Sequence, residues 1–189
     1  LLKKFLIVIA LSTLAGHAAL RLYSPLRQHI PEFLGIYAAL CLLSMATAFW
    51  LKAHAHSLES LSAREHAALP WLILGFAALF RLVLLWGPPI LSTDVYRYAW
   101  DGRVQLAGIN PYIFAPSSPE LASLRTSWHG FINNPQLSTI YPPVAQWVFR
   151  LAASVSPTVL AQKAAFVFFD LLTICLLIRF LSLRGQSAA

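Results

Sequence analysis

Residues 69–90 read LPWLILGFAALFRLVLLWGPPI. Arg81 is the one charged residue in a run that, as a helix rising about 1.5 Å per residue, spans the roughly 30 Å hydrocarbon layer of a bilayer. Three further stretches have the same character: Phe5 to Tyr23, Phe33 to Leu51 and Ala164 to Leu183. A fifth, Pro143 to Val155, is shorter and has two readings: a tilted crossing, or a partly inserted helix packed against protein. Lys3 and Lys4 ahead of the first run resemble a signal peptide, but its length and the next apolar run soon after favour a retained span.

Composition agrees with a membrane protein. Of 189 residues, 58% are apolar and 11% charged, with mean hydropathy +0.66. A soluble domain carries about a quarter charged residues, so a soluble enzyme, a disordered chain and a secreted disulfide scaffold are all excluded. The two cysteines, Cys41 and Cys175, sit inside apolar runs and read as small buried hydrophobes. The net charge of +7 is spread along the chain, mostly beside the apolar runs. No row of Lys and Arg exists to neutralise phosphates, so nucleic acid is not an expected partner.

Basic residues flanking spans set orientation. With Lys3 and Lys4 inside, Lys52 and Arg64 mark the second connection as inside too. Arg21 and Arg27 argue against this assignment, and Glu59 and Glu65 carry little weight. This orientation puts residues 91–141 on the outer face. The expected architecture is an all-α polytopic transmembrane bundle, residues 1–189 forming one membrane domain, with 91–141 a long exoplasmic loop carrying an amphipathic interfacial helix. No internal repeat or low-complexity tract interrupts it.

Within the loop, Ser92 to Tyr112 read STDVYRYAWDGRVQLAGINPY. Ser92 or Thr93 can cap a helix whose first turn holds Asp94, favoured by the positive end of the helix dipole, and Gly108 and Pro111 end it. Helical spacing puts Asp94, Arg97, Tyr98, Asp101 and Gln105 on one side, with Val95, Ala99 and Leu106 on the other. Asp94 and Asp101 lie about 10 Å apart along the axis, too far to share a proton, so they have different tasks. A carboxylate near the lipid boundary suits removal of a proton from an incoming hydroxyl. The plainer reading makes Asp94 a cap and pairs Asp101 with Arg97 at spacing four.

The loop closes with INNPQLSTIYPPVAQ, residues 132–146. Pro142 and Pro143 suit a helix start. Such a start turns backbone N–H groups toward the head-group layer, where a lipid phosphate is stabilised, with Tyr141 offering a hydroxyl and Arg97 or Arg103 charge. The alternative makes Tyr141 an interfacial anchor and the prolines a bend.

On the blocks TDVYRYAWDGRVQLAGINPY (residues 93–112) and INNPQLSTIYPP (residues 132–143), the chain resembles the GT-C superfamily of membrane glycosyltransferases. The bacterial polyprenyl-phosphate-mannose-dependent mannosyltransferases are the similar members. The match extends to Arg81 and to FFDLLT around Asp170. The resemblance implies a polyprenyl-phosphate sugar donor, a glycan or lipid acceptor, membrane lipids as surroundings, no sugar-nucleotide fold and no required cofactor. It also implies Asp94 as general base, and a bacterial inner membrane with the active loop exoplasmic. Residues 1–189 correspond to the amino-proximal part of such a module, because the superfamily has more spans than the four or five here. Many relatives carry an acidic pair where this chain has Thr93 and Asp94.

In this reading Asp94 and Asp101 are the catalytic candidates, and Arg97, Arg103 and Tyr141 bind donor phosphate or substrate. Asp101 orients an arginine, binds acceptor hydroxyls or joins a metal site. No metal ligand is assigned, and dependence on a divalent metal is left open. The rival readings are a noncatalytic membrane subunit or lipid-binding remnant, and a transporter, disfavoured because the polar residues gather in a loop rather than at the midplane.

Other residues carry two readings. Arg81 and Asp170 each lie within a span, where an ionised group is costly unless paired or hydrated. They either pair with each other or, as preferred, Arg81 snorkels and Asp170 meets Lys163 or a hydroxyl. His54, His56 and His66 lack the Cys or carboxylates that would complete a tetrahedral zinc site and read as solvated loop residues. His129 lies beside the site blocks without a Ser or Cys partner. Tyr98, Trp100, Tyr112 and Trp128 stack on sugar rings or anchor at the interface.

Overall fold

The computed structural model describes residues 2–23, 28–56, 60–89 and 91–184. Arg27, Glu59 and Ile90, used above to judge topology and the end of the third span, lie outside these residues. The described residues form helices and turns, without a strand. In order they are α1 (Leu2–Leu20), α2 (Ile30–Ala53), α3 (Ala63–Leu85), α4 (Asp94–Leu106), α5 (Pro143–Val155) and α6 (Val159–Leu183). Short 3-10 turns at Arg21–Tyr23, Pro119–Leu124 and His129–Phe131 join them.

Four segments are long and apolar enough to cross a membrane: Lys4–Tyr23, Ile30–Ala53, Ala63–Leu85 and Val159–Leu183. The all-α transmembrane class stands, and this is a membrane protein. Large side chains such as Leu42, Phe49 and Trp71 are exposed, which a hydrocarbon surround tolerates and water would not. The thirteen residues of α5 reach only about 20 Å and do not span alone.

Local chemistry moves some boundaries from those hydropathy indicates. α3 starts at Ala63, ahead of Leu69, because Ser62 and Glu65 form a capping box: the Ser62 N–H donates to Glu65 Oε2 at 2.9 Å, and the Glu65 N–H donates to Ser62 Oγ at 3.4 Å. Its end at Leu85 precedes Gly87, Pro88 and Pro89, whose rings cannot continue the hydrogen-bond ladder.

The chain divides into two compact units, 1–90 with 169–189, and 91–168. In the first, α1 packs against α2 and α3. There Arg81 does not snorkel. Its Nε donates to the Asp170 carboxylate and its Nη1 donates to the Ala77 carbonyl at 2.8 Å. Pairing offsets the cost that a lone ion meets in an apolar layer, which overturns the preferred reading of these two residues. Cys41 and Cys175 are free and exposed, not buried, since a small thiol on a lipid-facing helix loses nothing by exposure.

In the second unit α4 is central. One side packs Trp100 and Val104 against Leu121 and Ile132, with Tyr96, Ile109, Phe114, Leu124 and Trp128 around them. Its other side packs on α5. Being covered on both sides, α4 differs from a helix with an open polar face: Arg97 and Asp101 are 5% and 1% exposed, and it is Leu106 that is open.

Candidate functional site

The α4–α5 seam carries a hydrogen-bonded polar chain. Arg97 Nε donates to Asp101 Oδ1 at 2.9 Å, so the spacing-four pair forms. Arg97 also donates through Nη2 to the Leu137 carbonyl at 2.9 Å. From α5, Gln146 Nε2 donates to Asp101 Oδ2 and to Thr139 Oγ1, each at 2.8 Å. Gln105 Nε2 completes the chain by donating to Gln146 Oε1 at 2.7 Å. Both Asp101 oxygens are therefore occupied, and its charge is met by a cation and an amide, as a buried carboxylate requires.

Gly102 lets the two helices come this close. A Cβ there would lie 2.4 Å from the Phe149 carbonyl oxygen and 2.8 Å from Ala153 Cβ. Gln162 Nε2 donates to that same carbonyl at 2.9 Å. Tyr98 stacks on Phe149 with centroids 4.6 Å apart and meets Tyr141 edge-on at 5.0 Å.

The two sequence blocks meet at the start of α4. Asn133 Nδ2 donates to Asp94 Oδ1, joining INNP to TDVY. Among the described residues no donor meets Oδ2. Ser92 Oγ, not Thr93, accepts the Asp94 N–H, at 3.1 Å. Burial pushes the Tyr141 hydroxyl well above the ordinary tyrosine range, Tyr98 and the Asp94 charge add to the rise, and Arg97 opposes it. Asp94, Arg97 and Tyr141 thus share one electrostatic neighbourhood, and Tyr141 stays protonated. The helix starts at Pro143 after Pro142, as those rings indicate.

A model of the family described as Alpha-(1->6)-mannopyranosyltransferase, N-terminal domain (MptA_B family), matches residues 5–186. The chain belongs to this family. Membership gives this mannosyltransferase-family domain mannosyl transfer as its general activity, with a sugar donor and a glycan or lipid acceptor as its general partners. No curated protein and no solved structure matches the chain.

Within this mannosyltransferase-family domain, Asp94, Arg97, Asp101 and Tyr141 come together and Arg103 does not. Nine positions after Asp94, Arg103 lies about half a turn around the helix, and its Nε donates to the Leu124 carbonyl at 2.9 Å. Trp100 is 1% exposed and cannot meet a sugar ring; its edge contact is with His129, which in turn bonds the Pro116 carbonyl. Trp128 packs on the same core, whereas Tyr112 is open and its hydroxyl donates to the Tyr141 carbonyl. Sequence reasoning did not single out Asn133, Thr139, Gln146 or Gly102 individually. Asn133 and Thr139 lay inside the quoted second block, and Gln146 shares the helix that follows it. The one signal for Gly102 was a glycine in the interior of an amphipathic helix, where it costs stability unless something must approach closely.

Proposed function

We propose that this domain transfers mannose from a polyprenyl phosphate to an acceptor hydroxyl at the exoplasmic face of a bacterial inner membrane, with Asp94 as general base. The observation that carries this reading is the Asn133–Asp94 contact. It holds one carboxylate oxygen and leaves the other without a donor among the described residues. The free oxygen takes the acceptor's proton while the hydroxyl oxygen attacks the anomeric carbon. The bond from that carbon to the phosphate oxygen breaks, and the phosphate leaves with the electron pair from the opposite face.

Charge grows on the departing phosphate, so preorganised donors on that side supply much of the catalysis. Tyr141, held protonated, donates there, beside the start of α5. Asp101 has both oxygens engaged and acts as a positioning residue: it fixes Arg97, which holds the Leu137 carbonyl and with it the strand of chain leading to Tyr141. The scheme needs no metal.

Transfer from polyprenyl-phosphate mannose by membranes holding the full chain tests the base. Asp94→Asn is expected to lower turnover by about 10²–10⁴-fold, with Asp94→Glu retaining part of it. Unchanged turnover in Asp94→Asn removes Asp94 from the reaction. Donor binding without any turnover by the unaltered chain favours a noncatalytic lipid-binding subunit.

A further inference from the structure

A groove of about 370 Å³ opens between the end of α4, the turn after it and α5, lined among others by Gln105, Asn110, Tyr112, Pro143, Trp147 and Arg150. We infer that this groove is the seat of the donor's phosphate and that Arg150 is the cation that meets it. The inference rests on the donor class proposed above.

The other arginines of the unit are engaged. Arg97 is buried and donates to Asp101 and Leu137, Arg103 donates to Leu124, and Arg125 donates to the Ser117 carbonyl at 2.7 Å. The Arg97 charge is met by a buried carboxylate, and Arg103 and Arg125 are tied to backbone carbonyls away from the groove. Arg150 is exposed, and no acid or carbonyl among the described residues holds it. Helical side chains lean toward the N-terminus, so Arg150 reaches back over the turn of Gln146 and Trp147 toward Pro143, on the same groove wall. No Asp or Glu lines the groove, leaving the cation uncompensated there.

The surface beside it selects the kind of anion. Val144, Trp147, Leu151 and Val155 recur at helical spacing on α5 and are all exposed, from 64% to 84%. A free phosphate uses none of that stripe. A phosphate ester of a single hydrocarbon chain uses both parts, its anion on Arg150 and its chain along a stripe one helix wide.

The test is binding of a short polyprenyl monophosphate to the full chain in nanodiscs of phosphatidylcholine. Arg150→Gln is expected to weaken binding by about tenfold or more, the loss of one charge-assisted contact, and Arg150→Lys to recover much of it. Binding of the unphosphorylated polyprenol should be the same in all three proteins. Inorganic phosphate and phosphatidylglycerol should compete weakly. Three results overturn the inference: unchanged monophosphate binding in Arg150→Gln, an equal loss for the polyprenol, or phosphatidylglycerol competing as well as the probe, which makes this a general anionic-lipid site. The two readings separate through Asp94→Asn. If that variant transfers normally while Arg150 still governs binding, the base is wrong and the phosphate seat stands.

Discussion

Two glycines in helices set the two units of this protein apart. A methyl group at Gly75 in α3 would meet nothing within 4 Å, whereas at Gly102 in α4 it would run into the Phe149 backbone. Along α1–α3, away from the Arg81–Asp170 pair and the approach of Gly16 to the Leu40 side chain, hydropathy is the main demand, and many sequences of similar apolarity meet it. The α4–α5 seam instead depends on individual atoms, with two helices in contact, a paired carboxylate and amides aimed at named acceptors. Tolerance to substitution should follow this division.

The largest test of that contrast is Arg97→Leu, which leaves the Asp101 charge buried without its cation. Stability is expected to fall by about 3–5 kcal/mol, read from denaturant unfolding in detergent, and the double variant with Asp101→Leu should recover a good part. A loss below about 1 kcal/mol would mean that the seam is more hydrated than its geometry indicates. Next comes the glycine pair itself. Gly102→Ala is expected to cost about 1–3 kcal/mol through overpacking against backbone. Gly75→Ala should be neutral or stabilising by at most about 1 kcal/mol. Equal melting temperatures for the two variants would erase the distinction.

The smallest effect concerns pH. Folding raises the Tyr141 pKa above the ordinary value of about 10, so the native state keeps a proton that the unfolded chain releases. The stability linked to it is complete below about pH 10 and is lost as pH climbs from there toward the native-state value. Tyr141→Phe should therefore show a shallower alkaline decline in melting temperature. Identical slopes would mean that the hydroxyl is less enclosed than its neighbours suggest.

Much of the fold was legible because its determinants are local. Apolar runs mark four membrane helices, Gly108 with φ of 76° lies just past the end of α4, and paired prolines start α5. The meeting of the two loop blocks was legible only as a resemblance, since Asn133 and Asp94 are far apart in sequence. Which side of α4 faces protein was not legible, because the partners of Arg97 and Asp101 come from Leu137 and Gln146, about forty residues on. Periodicity grouped these polar residues correctly but could not say that amides would cover them. The same gap hid the engagement of Arg103 by Leu124 and left the pairing of Arg81 with Asp170 as the less favoured of two readings.

The Phe149 carbonyl oxygen is a common datum for three helices, approached by Gly102 of α4 and bonded by Gln162 of α6. The link Ser156 to Thr158 is consequently fixed in length. One inserted residue would swing Gln162 about 100° around its axis and replace an amide donor with a neighbour that cannot reach the oxygen. This corner admits exchange of side chains but not of residue count.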